Sequence, residues 1–356
     1  MSASPLNATS TTRNAEIRWD VVATVREPSA LVIGFACHHL AIGARRVHLF
    51  FDVAHDPAAA LCETIPGVVV TRCDGAHWAR LGYRSPPPLQ TNRQTLNANL
   101  VMADASDPAD FLLHADADEY LWHPEDFAQD LGAMPEGADW VHVANYERCW
   151  EGSVTGGMFD GVFREPIHDL PGFDAQVYGK RANALSAGMG GHSAGKAAAR
   201  PGVGFLAIHR VKVAQGEGDL PVWEAPRARM LHFDGITPRH WGLKNLRYAV
   251  QGVAMTKLLN RQRMATIGAI LQAGAPEKAA VRVHEALFCL TPEEARLLEE
   301  AGRLHRIGID IPGAVAKVAP HLKPDFSVAG FDRVHAAELS VRSQDIVRQK
   351  RRASRG

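Results

Sequence analysis

The 356-residue chain predicts an α/β fold, a mostly parallel central sheet flanked by helices with a helical carboxyl-terminal extension. Three observations carry that reading. Short apolar runs alternate with segments of helical period over the first 122 residues, the pattern of βαβ units. The apolar run Phe111–Leu113 opens directly onto three carboxylates, Asp116, Asp118 and Glu119, as a buried strand would at its exit. From Arg239 to Ala273 the apolar positions, Trp241 and Leu246 among them, recur at helical spacing.

Taken in order, residues 1–15 are rich in Ser, Thr and Asn without an apolar core, which reads as a disordered start and no signal peptide. Trp19–Val25 is strand-like. Pro28 is placed to open a helix in which Leu31, Phe35, His38, His39 and Ile42 share a face, and Gly43 closes it. Arg46–Phe51 and Val68–Thr71 are further strands, with a short helix over Pro57–Glu63 between them. Gly82–Leu89, with three consecutive prolines, is a loop. The helix over Gln90–Ala103 sets Gln90, Arg93, Gln94 and Asn97 near one another. Beyond the acidic cluster come a short helix over Pro124–Leu131 and strands over Trp140–Tyr146, Val203–Val211 and Ala228–Phe233. Residues 151–200 lack periodicity and are dense in glycine, so Gly188–Lys196 reads as a lid or a surface loop. Thr291-Pro292-Glu293-Glu294 opens another helix, and residues 349–356 form a basic disordered tail.

Composition excludes several classes. Lys+Arg and Asp+Glu balance at 39 each, so no overall field points to nucleic acid or an anionic membrane. The five cysteines show no CxxC spacing, which argues against a disulfide framework or zinc cluster and for a reducing compartment. Nothing approaches eighteen continuous apolar residues. The chain therefore reads as cytoplasmic, with no transmembrane segment, though contact with a membrane surface stays open. No GxGxxG follows the first strand and no Walker lysine occurs, so a dinucleotide or P-loop site loses its warrant.

The chemistry-bearing stretch is Asp116-Ala117-Asp118. Two carboxylates two residues apart at a strand end can converge on a hard cation such as Mg2+ or Mn2+ that also binds phosphate. The competing reading is an acidic turn that caps a helix. His232, which leaves another apolar run, is a candidate third ligand, or else a strand-end histidine with a backbone partner. Thr24, Arg26, Glu27 and Asp52 fall at neighbouring strand ends. Arg93, Gln94, Lys196 beside His192, Lys244 and Arg247 are candidates for holding phosphate, each also readable as an ordinary solvated side chain.

These residues come in an order that resembles a known group. Thr24-x-Arg26-Glu27, His38-His39 with Gly43, Asp52, Arg93-Gln94, the block His114 to Leu121 and His232-Phe233-Asp234-Gly235 with Trp241 and Lys244 are similar to the glycosyltransferase family 2-like group of the Glyco_tranf_2_4 type, bacterial enzymes of GT-A fold. The resemblance covers roughly residues 19 to 250. It implies a GT-A domain over 16–250, with a nucleotide-binding half (16–122) and an acceptor half (123–250), followed by a helical region over 251–348. It implies a nucleotide-diphosphate sugar as donor, Mn2+ or Mg2+, a glycan or other hydroxyl acceptor, and inversion, in surface polysaccharide assembly. Asp116, Asp118 and His232 would then hold the metal. Thr24, Arg26, Glu27 and Asp52 would contact base and ribose, and Arg93, Gln94, Lys196 and Lys244 would sit about the donor. His114-Ala115 depart from the apolar or acidic residues usual at those positions. An inverting transfer needs a general base, for which Asp234, Glu147, Asp174 and Asp160 are candidates, Asp234 first because it adjoins His232. Trp150, beside the glycine-rich segment, is the candidate for stacking on an acceptor sugar. The alternatives from the same residues are a metal-dependent phosphohydrolase or nucleotidyltransferase, and a non-catalytic nucleotide- or glycan-binding protein.

Overall fold

The computed structural model describes residues 17–213, 220–250, 261–272 and 276–336, with backbone alone at 246–250 and 276–277. The amino-terminal stretch, the basic tail and the side chain of Arg247 lie outside the described residues. No helix among the described residues is long and apolar enough to cross a membrane.

The first elements follow the sequence closely: β1 (Trp19–Val25), α1 (Ser29–Ala41), β2 (Arg46–Phe51), α2 (Pro57–Cys62), β3 (Val68–Arg72), α3 (Gly75–Arg80), α4 (Gln90–Ala103) and β4 (Phe111–His114). β1 is buried along its whole length and pairs in parallel with β2 and β4, and β2 with β3. A strand covered on both faces must be apolar throughout, which is why WDVVATV does not alternate. Asp20, the one charge within it, sits at the opposite end from the acidic cluster and is matched by Arg45 at 2.8 Å. α1 is buried nearly all round rather than along one stripe. His38 and His39 tie it to the next strand: His38 Nε2 is 2.7 Å from the Leu121 carbonyl, and Leu121 N–H donates to His39 Nε2 at 3.2 Å.

Beyond β4 the chain builds β5 (Glu119–Trp122), α5 (Phe127–Gly132), β6 (Trp140–Val143), β7 (Asn145–Glu151), β8 (Val162–Arg164), α6 (Phe173–Tyr178), β9 (Lys196–Ala199), β10 (Phe205–Leu206), β11 (Val211–Lys212), β12 (Val222–Glu224) and β13 (Arg229–His232). Then come α7 (Pro238–Val250), α8 (Arg261–Gln272), α9 (Pro276–Phe288), β14 (Cys289–Leu290), α10 (Pro292–Glu300), β15 (Leu304–His305) and α11 (Ile311–Val318). Two sheets result. The first has the order β12-β6-β9-β4-β1-β2-β3, parallel except for β9. The second has the order β15-β8-β7-β13-β5, with β14 added on β7. The architecture is thus mixed α/β with a parallel-rich sheet, compatible with a Rossmann-like fold. The first sheet draws strands from both sides of residue 122.

Two sequence expectations change here. The run Trp140–Tyr146 is broken at Ala144, and its two parts enter different sheets. Val203–Val211 is not one strand but holds β10, a turn and the first residue of β11, a short hairpin, because Gly204 at φ +58° and the turn 207–210 interrupt it. The carboxyl-terminal elements do not form a separate layer. α9 packs on α7, while α11 returns to cover α1. α10 begins with the expected capping box, in which Thr291 accepts from Glu294 N–H and Glu294 accepts from Thr291 N–H.

Candidate functional site

The site lies where the chain leaves the first sheet and enters the second. β4 ends at His114 and β5 begins at Glu119, so residues 115–118 bridge the two sheets at the carboxyl edge of the parallel strands. In open α/β sheets that edge is where ligands bind. The two carboxylates in this bridge, Asp116 and Asp118, face different lysines, and Glu119 at the start of β5 shares the lysine of Asp116.

Asp116 turns to the first sheet. Lys196 Nζ lies 2.6 Å from Asp116 Oδ2, Gln94 Nε2 donates to Asp116 Oδ1, and Asp116 N–H donates to Glu119 Oε2 at 2.9 Å. Lys196 is not in a surface loop. It is the first residue of β9, 0% exposed at its side chain, and its ammonium also lies 2.9 Å from Glu119 Oε2. Its position follows from topology: β9 runs antiparallel beside β4, so its first residue stands at β4's carboxyl end. Gly195 sets up that entry at φ +58°, where a Cβ would collide with the His142 ring and the Val143 carbonyl. Burial pulls the Lys196 pKa down, but the Asp116 and Glu119 carboxylates outweigh it and hold the ammonium charged above the usual lysine range. Burial likewise raises Glu119, yet Lys196 and then His192 bring it well below its ordinary value.

Asp118 turns to the second sheet. Lys244 Nζ, from α7, is 2.6 Å from Asp118 Oδ2 and 3.3 Å from Asp234 Oδ1. His232 Nε2 stands 4.0 Å from Asp118 Oδ2. Asp234 is further held by Arg263 at 2.8 and 3.2 Å and by the Trp241 indole N–H at 3.2 Å. Burial would raise its pKa, but Arg263 and then Lys244 draw it well below the carboxylate range. His232 is kept neutral by burial and by the nearby His192, whose ring stacks on it at 4.7 Å.

The helix α4 closes the first-sheet side. Its face carrying Arg93, Gln94 and Asn97 spans the ends of three strands: Arg93 pairs with Asp52 at 2.5 and 2.8 Å, Gln94 reaches Asp116, and Asn97 donates to Thr24 Oγ1 at 2.9 Å. Glu27 accepts from His240 Nε2 at 2.8 Å, which ties the end of β1 to α7. Arg26 follows β1 at the same edge and its Nε is buried.

Among the described residues two sets of three groups could hold a metal ion: Asp118, His232 and Asp234, and Glu119, His192 and His232. In each, the ligand atoms lie within 4.8 Å of one another. Asp116 belongs to neither set, because its oxygens are turned to Lys196 and Gln94. The donor types fit a divalent cation, with carboxylate oxygens joined by imidazole nitrogen. His232 Nδ1 is buried without a hydrogen-bond partner, its Nε2 faces Asp118, and Glu119 Oε1 has the His192 ring nitrogen 3.2 Å away.

The candidate bases separate clearly. Glu147 is fully buried and saturated: Arg164 donates at 2.6 and 3.0 Å, and the N–H groups of Gly190 and Gly191 at 2.8 and 2.6 Å. It organises the glycine-rich segment, which is therefore packed against the second sheet rather than looping free. Asp174 is on α6, where it accepts from Ala175 N–H, and no contact joins it to the cluster. Asp160 accepts from Gly157 N–H within its own turn. Asp234 alone stands beside Asp118. Trp150 is 4% exposed and covered by the Arg148 guanidinium 4.0 Å from its ring centroid, so it has no face to offer a sugar. Sequence reasoning missed Arg263 and Arg164 altogether; each lies far along the chain from its carboxylate, and neither sits in a motif.

No family model and no curated protein matches the chain. Among solved structures, S. aureus TarS 1–349 superposes with a TM-score of 0.33 at 14% identity, covering 76% of this chain and 70% of that one. TarS 1–349 in complex with UDP gives 0.33 at 12% identity over 92% of each chain. Its complex with UDP-GlcNAc gives 0.34 at 12%, over 91% of this chain and 92% of that one. Likenesses this remote carry no argument about activity, which rests on the site itself.

Proposed function

We propose that the protein is a glycosyltransferase that moves a sugar from a nucleotide-diphosphate donor to a hydroxyl of a glycan acceptor, with inversion and with the aid of a divalent metal, in surface polysaccharide assembly. One observation carries the reading: the bridge at residues 115–118 sets Asp118 beside His232, Asp234 and Lys244 at the carboxyl edge of a parallel sheet. Carboxylates, an imidazole and mobile cations together suit a pyrophosphate better than a single phosphate or a neutral ligand.

In this reading Asp118 and His232, with Asp234, hold the ion, and manganese suits the mixed oxygen and nitrogen donors better than magnesium. The metal, when bound, neutralises charge that develops on the departing diphosphate. Asp116 acts one step back, locked by Lys196 and Gln94 so that the bridge keeps its shape. Thr24, Arg26, Glu27 and Asp52 line the strand ends where a base and ribose would lie, with Arg93 fixing the Asp52 carboxylate. Asp234 is the base candidate in contact with the cluster. As it stands Arg263 and Lys244 make it a weak one, so to accept the acceptor's proton it must be released by those cations and leave the ion to Asp118 and His232. Phosphoryl or nucleotidyl transfer would call for more carboxylates free to hold metal, whereas Asp116 and Glu119 are engaged by Lys196.

The test is nucleotide release from a panel of nucleotide sugars, with and without manganese. The expected result is turnover of one donor class, lowered on the order of 100-fold in the Asp118→Asn variant, the scale of losing one charge-stabilising group. Absence of release from every donor, or full activity in Asp118→Asn, overturns the assignment.

A further inference from the structure

The Asp118 side of the site already holds a cation of its own. We propose that Lys244 is a resident counter-ion that keeps the donor-free site closed to metal, and that it moves onto the diphosphate when metal and donor enter together. This rests on the nucleotide-sugar reading above and assigns a role to one residue within it.

The argument is geometric. Lys244 Nζ is 2.6 Å from Asp118 Oδ2 and 3.3 Å from Asp234 Oδ1, and His232 Nε2 is 4.0 Å from the same Asp118 oxygen. A divalent ion bound by Asp118 and Asp234 at about 2.1–2.2 Å must stand in the space the ammonium occupies. Two cations cannot share it, so metal and Lys244 compete for one position.

Charge gives the same answer. Asp118 and Asp234 contribute −2, and Lys244 and Arg263 contribute +2, so the donor-free cluster sums to zero. With Lys244 displaced, a divalent ion alone would leave +1 in a buried place, from −2 on the carboxylates, +1 on Arg263 and +2 on the ion, which desolvation opposes. A divalent ion that arrives with a diphosphate restores the balance. Metal and diphosphate should therefore bind as a coupled pair, and the coupling is reciprocal.

Lys244 is also the cation able to move. Lys196 is 0% exposed at its side chain and fixed as the first residue of a central strand, whereas Lys244 is 17% exposed on a helix and carries a flexible four-carbon stem. Arg263 reaches Asp234 but makes no contact with Asp118, so its departure would not open the Asp118 oxygen. Withdrawal of Lys244 opens the Asp118 oxygen and leaves Asp234 Oδ1 to Arg263, 3.2 Å away.

The experiment titrates manganese into donor-free wild type, Lys244→Gln and Lys244→Arg by calorimetry, then inorganic pyrophosphate into each protein at saturating manganese. Thermal unfolding by circular dichroism confirms that the variants are folded. Lys244→Gln is expected to bind manganese more tightly and pyrophosphate more weakly, each on the order of tenfold, about 1.4 kcal/mol. Lys244→Arg, which keeps the charge, should stay near wild type on manganese. Shifts of opposite sign on the two ligands cannot come from general loosening of the site. Equal manganese affinity in wild type and Lys244→Gln, or shifts of the same sign, overturns the proposal. Nucleotide release by the wild type is scored separately. Release with an unmoved manganese affinity removes the role of Lys244 alone, and opposite shifts without release keep that role and remove the glycosyltransferase reading.

Discussion

The acidic bridge carries two lysine–carboxylate arrangements of like chemistry and different character. On one side Lys196 serves Asp116 and Glu119 from within a sheet, with no solvent and no room to move. On the other Lys244 serves Asp118 and Asp234 from a helix at the rim. The distances are alike, so distance does not separate them. The difference is what holds the lysine. Lys196 is fixed by backbone pairing with Val143 in a strand that β4 flanks on its other side, while Lys244 sits on a helix with a partly solvated side chain held to the two carboxylates. The first arrangement builds the bridge, and the second leaves it something to exchange.

The largest expected effect tests that distinction directly. Lys196→Met leaves the buried Glu119 and the part-exposed Asp116 without their cation, and breaking a buried pair by removing one partner costs about 3–5 kcal/mol. Lys244→Met leaves Asp118 with His232 4.0 Å away and Asp234 with Arg263 and Trp241, and about 1–2 kcal/mol is expected. Chemical denaturation of both variants measures the two values. Equal losses would erase the contrast, since they would make both lysines structural.

A second measurement sharpens it through pH. Lys196 stays charged between pH 5 and 8, so its contribution is level there. The buried imidazoles are not level. Burial brings His38 to about 4 and, with His38 beside it, His39 to about 3; burial and then Arg148 bring His284 to about 3. Unfolded, each takes up a proton near pH 6.5. The native protein then binds fewer protons than the unfolded chain below that pH. The stability these rings contribute is complete above 6.5 and is lost as pH falls toward 4, at about 1 kcal/mol per ring per pH unit. Urea midpoints at pH 7.5, 6.5 and 5.5 should fall progressively, and Lys196→Met should lower the whole curve without altering its slope. A flat profile from 7.5 to 5.5 would mean that these rings are hydrated.

The two sides of the bridge also differ in how much of them could be read from sequence. The first sheet and α1 are written in local periodicity: WDVVATV, RVHLFF and FLLH are continuous apolar runs, and Gly43 stands at φ +109° just past the helix, where a glycine is needed. β9 was hidden because KAAA has no strand character of its own. It is a strand because alanines fit between two neighbouring strands with cores on both faces. Without that strand, Lys196 looks like a loop lysine. The second sheet is illegible for another reason. β5 pairs with β13, more than a hundred residues away, and strands of two to four residues carry too little pattern to announce such pairing. Asp116, Asp118, His232 and Asp234 were visible as residue types at strand ends. Which lysine each would meet was decided by topology, and Arg263 by a helix packed from much further along.

The smallest expected effect concerns a carboxylate that has neither kind of lysine. Asp174 lies in the first turn of α6, exposed, and accepts from Ala175 N–H. A carboxylate there interacts with the helix amino terminus, and its loss costs a few tenths of a kcal/mol, within about 0.5 kcal/mol. It touches no group of the Asp118 cluster, so Asp174→Asn should leave both manganese affinity and nucleotide release where they are in the wild type. A fall of tenfold or more in release, with unfolding unchanged, would show that the acceptor's proton travels toward α6. It would also show that the reacting centre extends beyond the edge where the two sheets meet. If release stays level, the proton-accepting role falls to the carboxylate that Lys244 and Arg263 now restrain, because Glu147 is buried and both its oxygens already accept hydrogen bonds, from Arg164, Gly190 and Gly191.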